Sequence, residues 1–200
     1  MIGIGGTGAK AGHCDAWLMR HGALPLNPER RFVGQQDIPL SELGREQARS
    51  WRRRLLDTPL AAIVCSDLAR CVETARLVRG DRDILLLREP AFREISLGAW
   101  QGLTPQEVED RFPGAYAERG RDLACFRPEG GESFADLAER VLPAFAEWIR
   151  EYAGRSLLIV GHAGVNRVII AHGMALPLHN ALSIPQPYAC CASLAGMLAE

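Results

Sequence analysis

Leu18-Met19-Arg20-His21-Gly22-Ala23-Leu24-Pro25-Leu26-Asn27 is the stretch on which the reading of this chain turns. The apolar run Ala16 to Met19 leads straight into a guanidinium, an imidazole and a glycine, and an asparagine follows at position 27. A strand that stops at Arg-His-Gly delivers both side chains to the carboxyl edge of a sheet, where open α/β sheets keep their ligands. Gly22 lets the backbone turn away and removes a side chain that would crowd an incoming group. Arg20 beside His21 is chemically odd unless an anion sits between them, usually a carboxylate or a phosphate. A basic pair on a surface loop is the competing reading, and the decapeptide does not separate the two.

The surrounding sequence narrows the classes. A chain of 200 residues with 48% hydrophobic and 24% charged content suits one globular domain with a sizeable core. The net charge of −1 argues against a dedicated nucleic-acid or anionic-membrane binder. Lys10 is the only lysine, and the remaining cations are arginine, which suits bidentate phosphate contacts. The cysteines at 14, 65, 71, 125, 190 and 191 form no C-x-x-C pair and no zinc spacing, and no signal peptide precedes them, so a reducing cytoplasm is expected. Apolar runs such as Leu157 to Val160 are too short to span a bilayer. Residues 1–15 read as a flexible tail ahead of a domain over 16–200. Gly3-Ile4-Gly5-Gly6-Thr7-Gly8 matches G-x-G-x-x-G in form, but no strand precedes it to hold a dinucleotide loop.

Along the chain, strands and helices alternate. A helix is expected from Ser41 to about Leu56, with Leu43, Ala48, Trp51 and Leu55 as packing positions and Arg49, Arg52, Arg53 and Arg54 on a solvated face. Ala61–Cys65 reads as a buried strand. Ser66 or Asp67 is placed to cap a helix that carries Arg70 in its first turn, near the same sheet edge as His21. Ile84–Leu87 is a third strand. Glu94 follows on a glycine-rich loop that ends at Gly102, and Thr104-Pro105 opens a short helix. Residues 111–132 show no clean period and read as a variable lid over the site.

From Ser133 to about Tyr152 the spacing of Phe134, Leu137, Val141, Leu142, Phe145, Trp148 and Ile149 predicts an amphipathic helix. The strand Arg155–Val160 stops at Gly161-His162-Ala163-Gly164, repeating the logic of Arg20-His21-Gly22, and a helix from Val165 follows. Cys190 to Leu198 is placed to be a last strand. The pattern is that of a single α/β domain with a largely parallel sheet.

Arg20, His21, Arg70, Glu94 and His162 thus converge on one sheet edge. They supply a nucleophilic imidazole, cations for phosphoryl oxygens and a carboxyl group for proton transfer, without any requirement for a metal. In this order and spacing the chain resembles the histidine phosphatase, or phosphoglycerate-mutase-like, superfamily. The marks are Leu18 to Gly22, Phe32-Val33-Gly34, the Leu40 to Gly44 run, and Ser66 to Arg70 with Thr74-Ala75. Glu94 with Gly98 to Gly102 and Gly161 to Val165 complete the set.

The resemblance implies a three-layer α/β/α sandwich with a mostly parallel, doubly wound sheet. It implies that His21 is the phosphorylated nucleophile and Glu94 the proton donor. Arg20, Asn27, Arg70 and His162 would form the phosphate pocket, with Gly34 and Ala163 beside it. Ala163 stands where many members carry a second glycine. No cofactor or metal is implied. The expected partner is a small-molecule phosphate ester rather than a nucleic acid or a membrane, and a homodimer is left open.

Three alternatives stand beside a phosphomonoesterase. A phosphoglycerate-mutase-type transfer would need extra basic residues on a longer insert, and Arg111, Arg119, Arg121 and Arg127 are scattered. A non-catalytic phospho-ligand binder usually lacks the nucleophile or the acid, and both are present. A metal hydrolase would need a ligand cluster, and His172 and His179 have no carboxylate between them. Among phosphatases, Glu94 in its loop and Pro128 to Ser133 look most like the α-ribazole-phosphate phosphatases of cobalamin synthesis, with broad-specificity sugar-phosphate phosphatases and the phosphoserine phosphatases of this family as the other resemblances left open.

Overall fold

The computed structural model describes residues 14–194. Strand β1 spans Asp15–Arg20, helix α1 Glu42–Arg54, β2 Leu60–Cys65, α2 Ala69–Arg79 and β3 Leu85–Arg88. Two short helices follow, α3 at Pro105–Arg111 and α4 at Ala115–Arg121, then the long α5 at Phe134–Glu151. The chain closes through β4 at Ser156–Gly161, α6 at Ala163–Gly173 and β5 at Cys191–Ser193. The expected tail, residues 1–15, lies outside the described residues except for Cys14 and Asp15. Both belong to the fold: Cys14 is buried and Asp15 opens β1.

The five strands lie in the order β3-β2-β4-β1-β5, all parallel except β5, which runs antiparallel to β1. Side chains alternate across the sheet, as the period of two requires. Leu18, Ala62, Val64, Leu157 and Ile159 join one core with residues of α5 and α6. Met19, Ile63, Cys65, Leu158 and Val160 join a second core with residues of α1 and α2. The result is the three-layer α/β/α sandwich.

The strand order also makes a crevice. From β1 the chain crosses to β2 beyond β4, and it returns to β4 only at the end. The connection after β1 therefore leaves toward α1 on one face, and the connection after β4 leaves toward α6 on the other. Between the two carboxyl ends lies a topological switch point, where such sheets bind ligands. Arg20 sits in register with Gly161 there, and the His21 N–H donates to the Gly161 carbonyl at 3.0 Å.

Local signals explain most element ends. Ser41 caps α1 by accepting from the Gly44 N–H, and capping boxes pair Thr104 with Glu107 and Ser133 with Asp136. Several expectations are corrected. Leu43 is 58% exposed, whereas Gly44 is buried against Ala23. A Cβ on Gly22 would collide with the Gly44 backbone, and one on Gly44 with the Ala23 carbonyl. Gly22 is thus demanded by the close approach of α1 rather than by an incoming ligand. Neither Ser66 nor Asp67 caps α2. Asp37 does, its carboxylate accepting from the Ala69 N–H at 2.7 Å, while Asp67 pairs with Arg93. Residues 111–132 are not irregular throughout, since α4 forms within them. Tyr116 and Phe126 stack against Trp100 beneath that segment.

Candidate active site

At the switch point His21, Arg20, Arg70, Glu94 and Gly34 line one cavity of about 220 Å³. His21 is 3% exposed. Its Nδ1 lies 2.8 Å from the Gly22 carbonyl, which assigns the proton to Nδ1 and leaves the lone pair on Nε2. Burial, then the nearby guanidiniums of Arg70 and Arg20, push this imidazole down from 6.5 to about 3. It is therefore neutral, hence nucleophilic, at any ordinary pH.

Arg70 is 1% exposed, at the N-terminal turn of α2. Its Nη1 and Nη2 donate to the Gln36 and Gly34 carbonyls at 2.6 and 2.7 Å, and its Nε donates to His162 Nδ1 at 3.3 Å. The Gly34 backbone, at φ 54°, is in the left-handed region that glycine tolerates, and a side chain there would also strike Gln101. Arg20 places its guanidinium 3.9 Å from the centre of the Tyr188 ring and donates through Nη1 to the Gln186 carbonyl. Its Nε is buried with no hydrogen-bond partner. An unpaired buried donor beside a second guanidinium is what an anion would satisfy.

His162 lies behind the cavity, fully buried, with its ring 5.2 Å from that of His21. Burial first, and then His21 and Arg70, hold it well below 6.5. Cys71 Sγ lies 3.3 Å from His162 Nε2 and donates to the Gly161 carbonyl. Ala163 opens α6 next to it, buried in the first turn.

Two buried neutral imidazoles carry a consequence for stability. The unfolded chain protonates them as pH falls through 6.5, whereas folded His21 resists until about 3. Their contribution is full above 6.5 and declines as pH falls toward 3. The denaturant midpoint is expected to drop between pH about 7.5 and about 5, before carboxylates titrate, and His21→Gln to flatten that drop. A pH-independent midpoint over this window would contradict the assignment.

Glu94 is fixed from both ends. Its carboxylate accepts from the Gly164 N–H at 3.1 Å and from its own neighbour Ile95, and any side chain at 164 would strike it. Its carbonyl accepts from Gln35 Nε2 at 2.9 Å and from Arg140 Nη2 at 3.0 Å. Arg140 also donates to the Ala91 and Arg93 carbonyls and pairs with Glu132, which in turn accepts from the Ser96 N–H. One guanidinium on α5 thus shapes the whole turn that presents Glu94.

Of the expected pocket residues, His162 and Ala163 do not line the cavity, and neither does Asn27. Its side chain accepts from the Arg31 N–H and donates to the Arg31 carbonyl, closing a surface turn beside a neighbouring cavity. Among the described residues none from 111–132 lines the cavity around His21, and that segment meets its wall where Tyr116 packs on Phe32. Arg31, Tyr188, Leu24 and Phe32 are there instead, unforeseen. No signal in the sequence marks Tyr188; Arg31 stands beside the quoted Phe32-Val33-Gly34, the nearest hint.

Among the described residues no group of three or more His, Cys, Asp or Glu side chains is arranged to hold a metal ion, and no helix is long and apolar enough to cross a membrane. The model of the histidine phosphatase superfamily (branch 1) matches residues 16–196. The chain belongs to that superfamily. The proteins similar to this chain include phosphatases and phosphoglycerate mutases. A glucosyl-3-phosphoglycerate phosphatase of Mycolicibacterium vanbaalenii is 37% identical over 171 residues, 82% of this chain and 75% of that protein. A 2,3-bisphosphoglycerate-dependent phosphoglycerate mutase of Gloeobacter violaceus is 33% identical, over 76% of this chain and 72% of its own. The solved structure of an alpha-ribazole phosphatase from Shigella flexneri superposes with a TM-score of 0.81 at 28% identity, covering 89% of this chain and 88% of that one. This histidine phosphatase is similar to each of them.

Proposed function

We propose that the chain is a phosphoric monoester hydrolase acting through a phosphohistidine on a small metabolite phosphate. The observation that carries this reading is a neutral His21, pinned through Nδ1, on the wall of a cavity shared with two guanidiniums and a carboxyl group.

In the first half-reaction the Nε2 lone pair forms a bond to phosphorus as the ester P–O bond breaks. Arg20 and Arg70 take the charge that gathers on the phosphoryl oxygens. Glu94, protonated, gives its proton to the departing alcohol. In the second, water attacks phosphorus, Glu94 takes the proton from that water, and the N–P bond breaks. Inorganic phosphate leaves, with His21 neutral and Glu94 protonated once more. His162 acts from behind, its Nδ1 accepting from Arg70 Nε and so helping to hold that guanidinium at the cavity wall. Asn27 is written out of this scheme, because its amide is engaged with Arg31.

The mutase relative raises the second reading. A mutase must hold another anion of its substrate close by, and Arg31 is the one further cation on the cavity wall among the described residues. It is already bound by Glu29 at 2.6 Å and Glu107 at 2.7 Å, which favours hydrolysis. For substrate, α-ribazole 5'-phosphate and glucosyl-3-phosphoglycerate are the two compounds that the similar proteins suggest. The six unpaired thiols fit the cytoplasm as the place of action.

The test is a panel of metabolite monophosphates that includes these two and 3-phosphoglycerate. Release of inorganic phosphate from at least one of them, without added metal, is expected. Isomerisation of 3-phosphoglycerate with little phosphate released would replace hydrolase by mutase.

A further inference from the structure

We infer that the alcohol part of the substrate is held in a second cavity, which selects phosphate esters of uncharged, largely apolar alcohols. This rests on the proposed role of His21, since it assumes that phosphorus is placed beside that ring.

The second cavity, about 210 Å³, adjoins the first and shares Leu24, Arg31, Val33 and Tyr188 with it. Together the two reach the range of roughly 300–1,000 Å³ typical of ligand sites, whereas the first alone has little room beyond a phosphoryl group and its nearest carbons. Tyr188 belongs to both walls, with its ring 5.5 Å from that of His21, so it stands where the ester oxygen would pass from one cavity to the other.

The chemistry of the walls is lopsided. Leu24, Pro25, Leu26, Val33 and Ile38 supply an apolar surface, and Leu26 is 98% exposed at its rim. Arg31 is the one charged side chain on this wall among the described residues. Its Nε and Nη1 are taken by Glu29 and Glu107, and Nη1 also donates to the Gly102 carbonyl at 2.8 Å. Arg31 is thus already paired with two carboxylates, so a substrate carboxylate or second phosphate would find no unpaired cation among the described residues of this wall. Asn27 spends its amide on the Arg31 backbone. Gln36, whose backbone carbonyl is held by Arg70, and the Tyr188 hydroxyl remain as polar groups, suited to a hydroxyl or ring nitrogen.

The test compares kcat/KM for ethyl, butyl and hexyl phosphate, whose leaving alcohols have nearly equal pKa, alongside 3-phosphoglycerate. A fully buried methylene is worth about fourfold, so partial burial of the added chain is expected to give a hexyl-to-ethyl ratio of about tenfold or more. Leu26→Glu, at an exposed position that leaves folding untouched, is expected to bring that ratio to about two, and Ile38→Ala to lower it in the same direction. A flat series, a preference for 3-phosphoglycerate, or a steep series that neither variant alters would each overturn the subsite. Phosphoenzyme formed on His21 in the same preparation shows that the reaction itself survives such a result. Turnover without it overturns the reading of His21, and the subsite with it.

Discussion

His21→Ala is expected to lower turnover of an aryl phosphate by about 10⁴-fold or more, while the protein still folds and binds inorganic phosphate. The size of the effect follows from the geometry. No other side chain that lines the cavity offers a nitrogen lone pair: Arg20 and Arg70 are cationic, Glu94 is held against the Gly164 N–H, and Tyr188 supplies only a phenol oxygen. His162 sits behind His21 and shares its Nδ1 with Arg70, so it is not placed to substitute. Removing the imidazole leaves a site that retains its cations and has lost its bond-forming atom. Phosphate release from the variant within tenfold of the parent would mean that water attacks phosphorus directly, and the covalent scheme would be abandoned.

Glu94→Gln is expected to slow hydrolysis of alkyl phosphates by about 10² to 10⁴-fold and of nitrophenyl phosphate far less. An alkoxide leaves poorly unless it is protonated, whereas nitrophenolate needs little help. Glutamine keeps the shape and removes the proton, so the gap between the two substrates isolates acid catalysis from binding. Arg140→Ala is expected to widen the same gap in milder form. It removes the donor shared by the Ala91, Arg93 and Glu94 carbonyls, so the carboxyl group loses its aim without losing its proton. Equal slowing of both substrates by Glu94→Gln would take this residue out of the acid role.

Much of this was legible in the sequence because the signals are local. The apolar run into Arg20-His21 made β1, the run into Gly161-His162 made β4, and the parallel pairing of these strands set the two histidines side by side. The caps at Ser41, Thr104 and Ser133 could be read from residues within one turn. What escaped depends on partners far along the chain. Asp37 caps α2 from 32 residues away, and so displaces the local candidates Ser66 and Asp67. Arg140 reaches a loop 46 to 49 residues upstream. Helix α4 has seven residues with Gly120 among them, too short for a periodic signal. Asn27 was misplaced for a related reason: an asparagine side chain readily bonds nearby backbone, and here it folds back on Arg31 rather than toward the phosphate cavity. The opening decapeptide therefore supplies the nucleophile and one cation, but its asparagine shapes the neighbouring cavity instead.

The most direct measurement is to locate the phosphoryl group. The protein is mixed with a labelled phosphomonoester, quenched in alkali within a single turnover, and mapped by mass spectrometry under conditions that keep phosphohistidine intact. A phosphoryl group on His21, formed and lost at rates that match turnover, is the predicted result. Turnover with His21 unmodified at every quench time, or with the label on another residue, would contradict it.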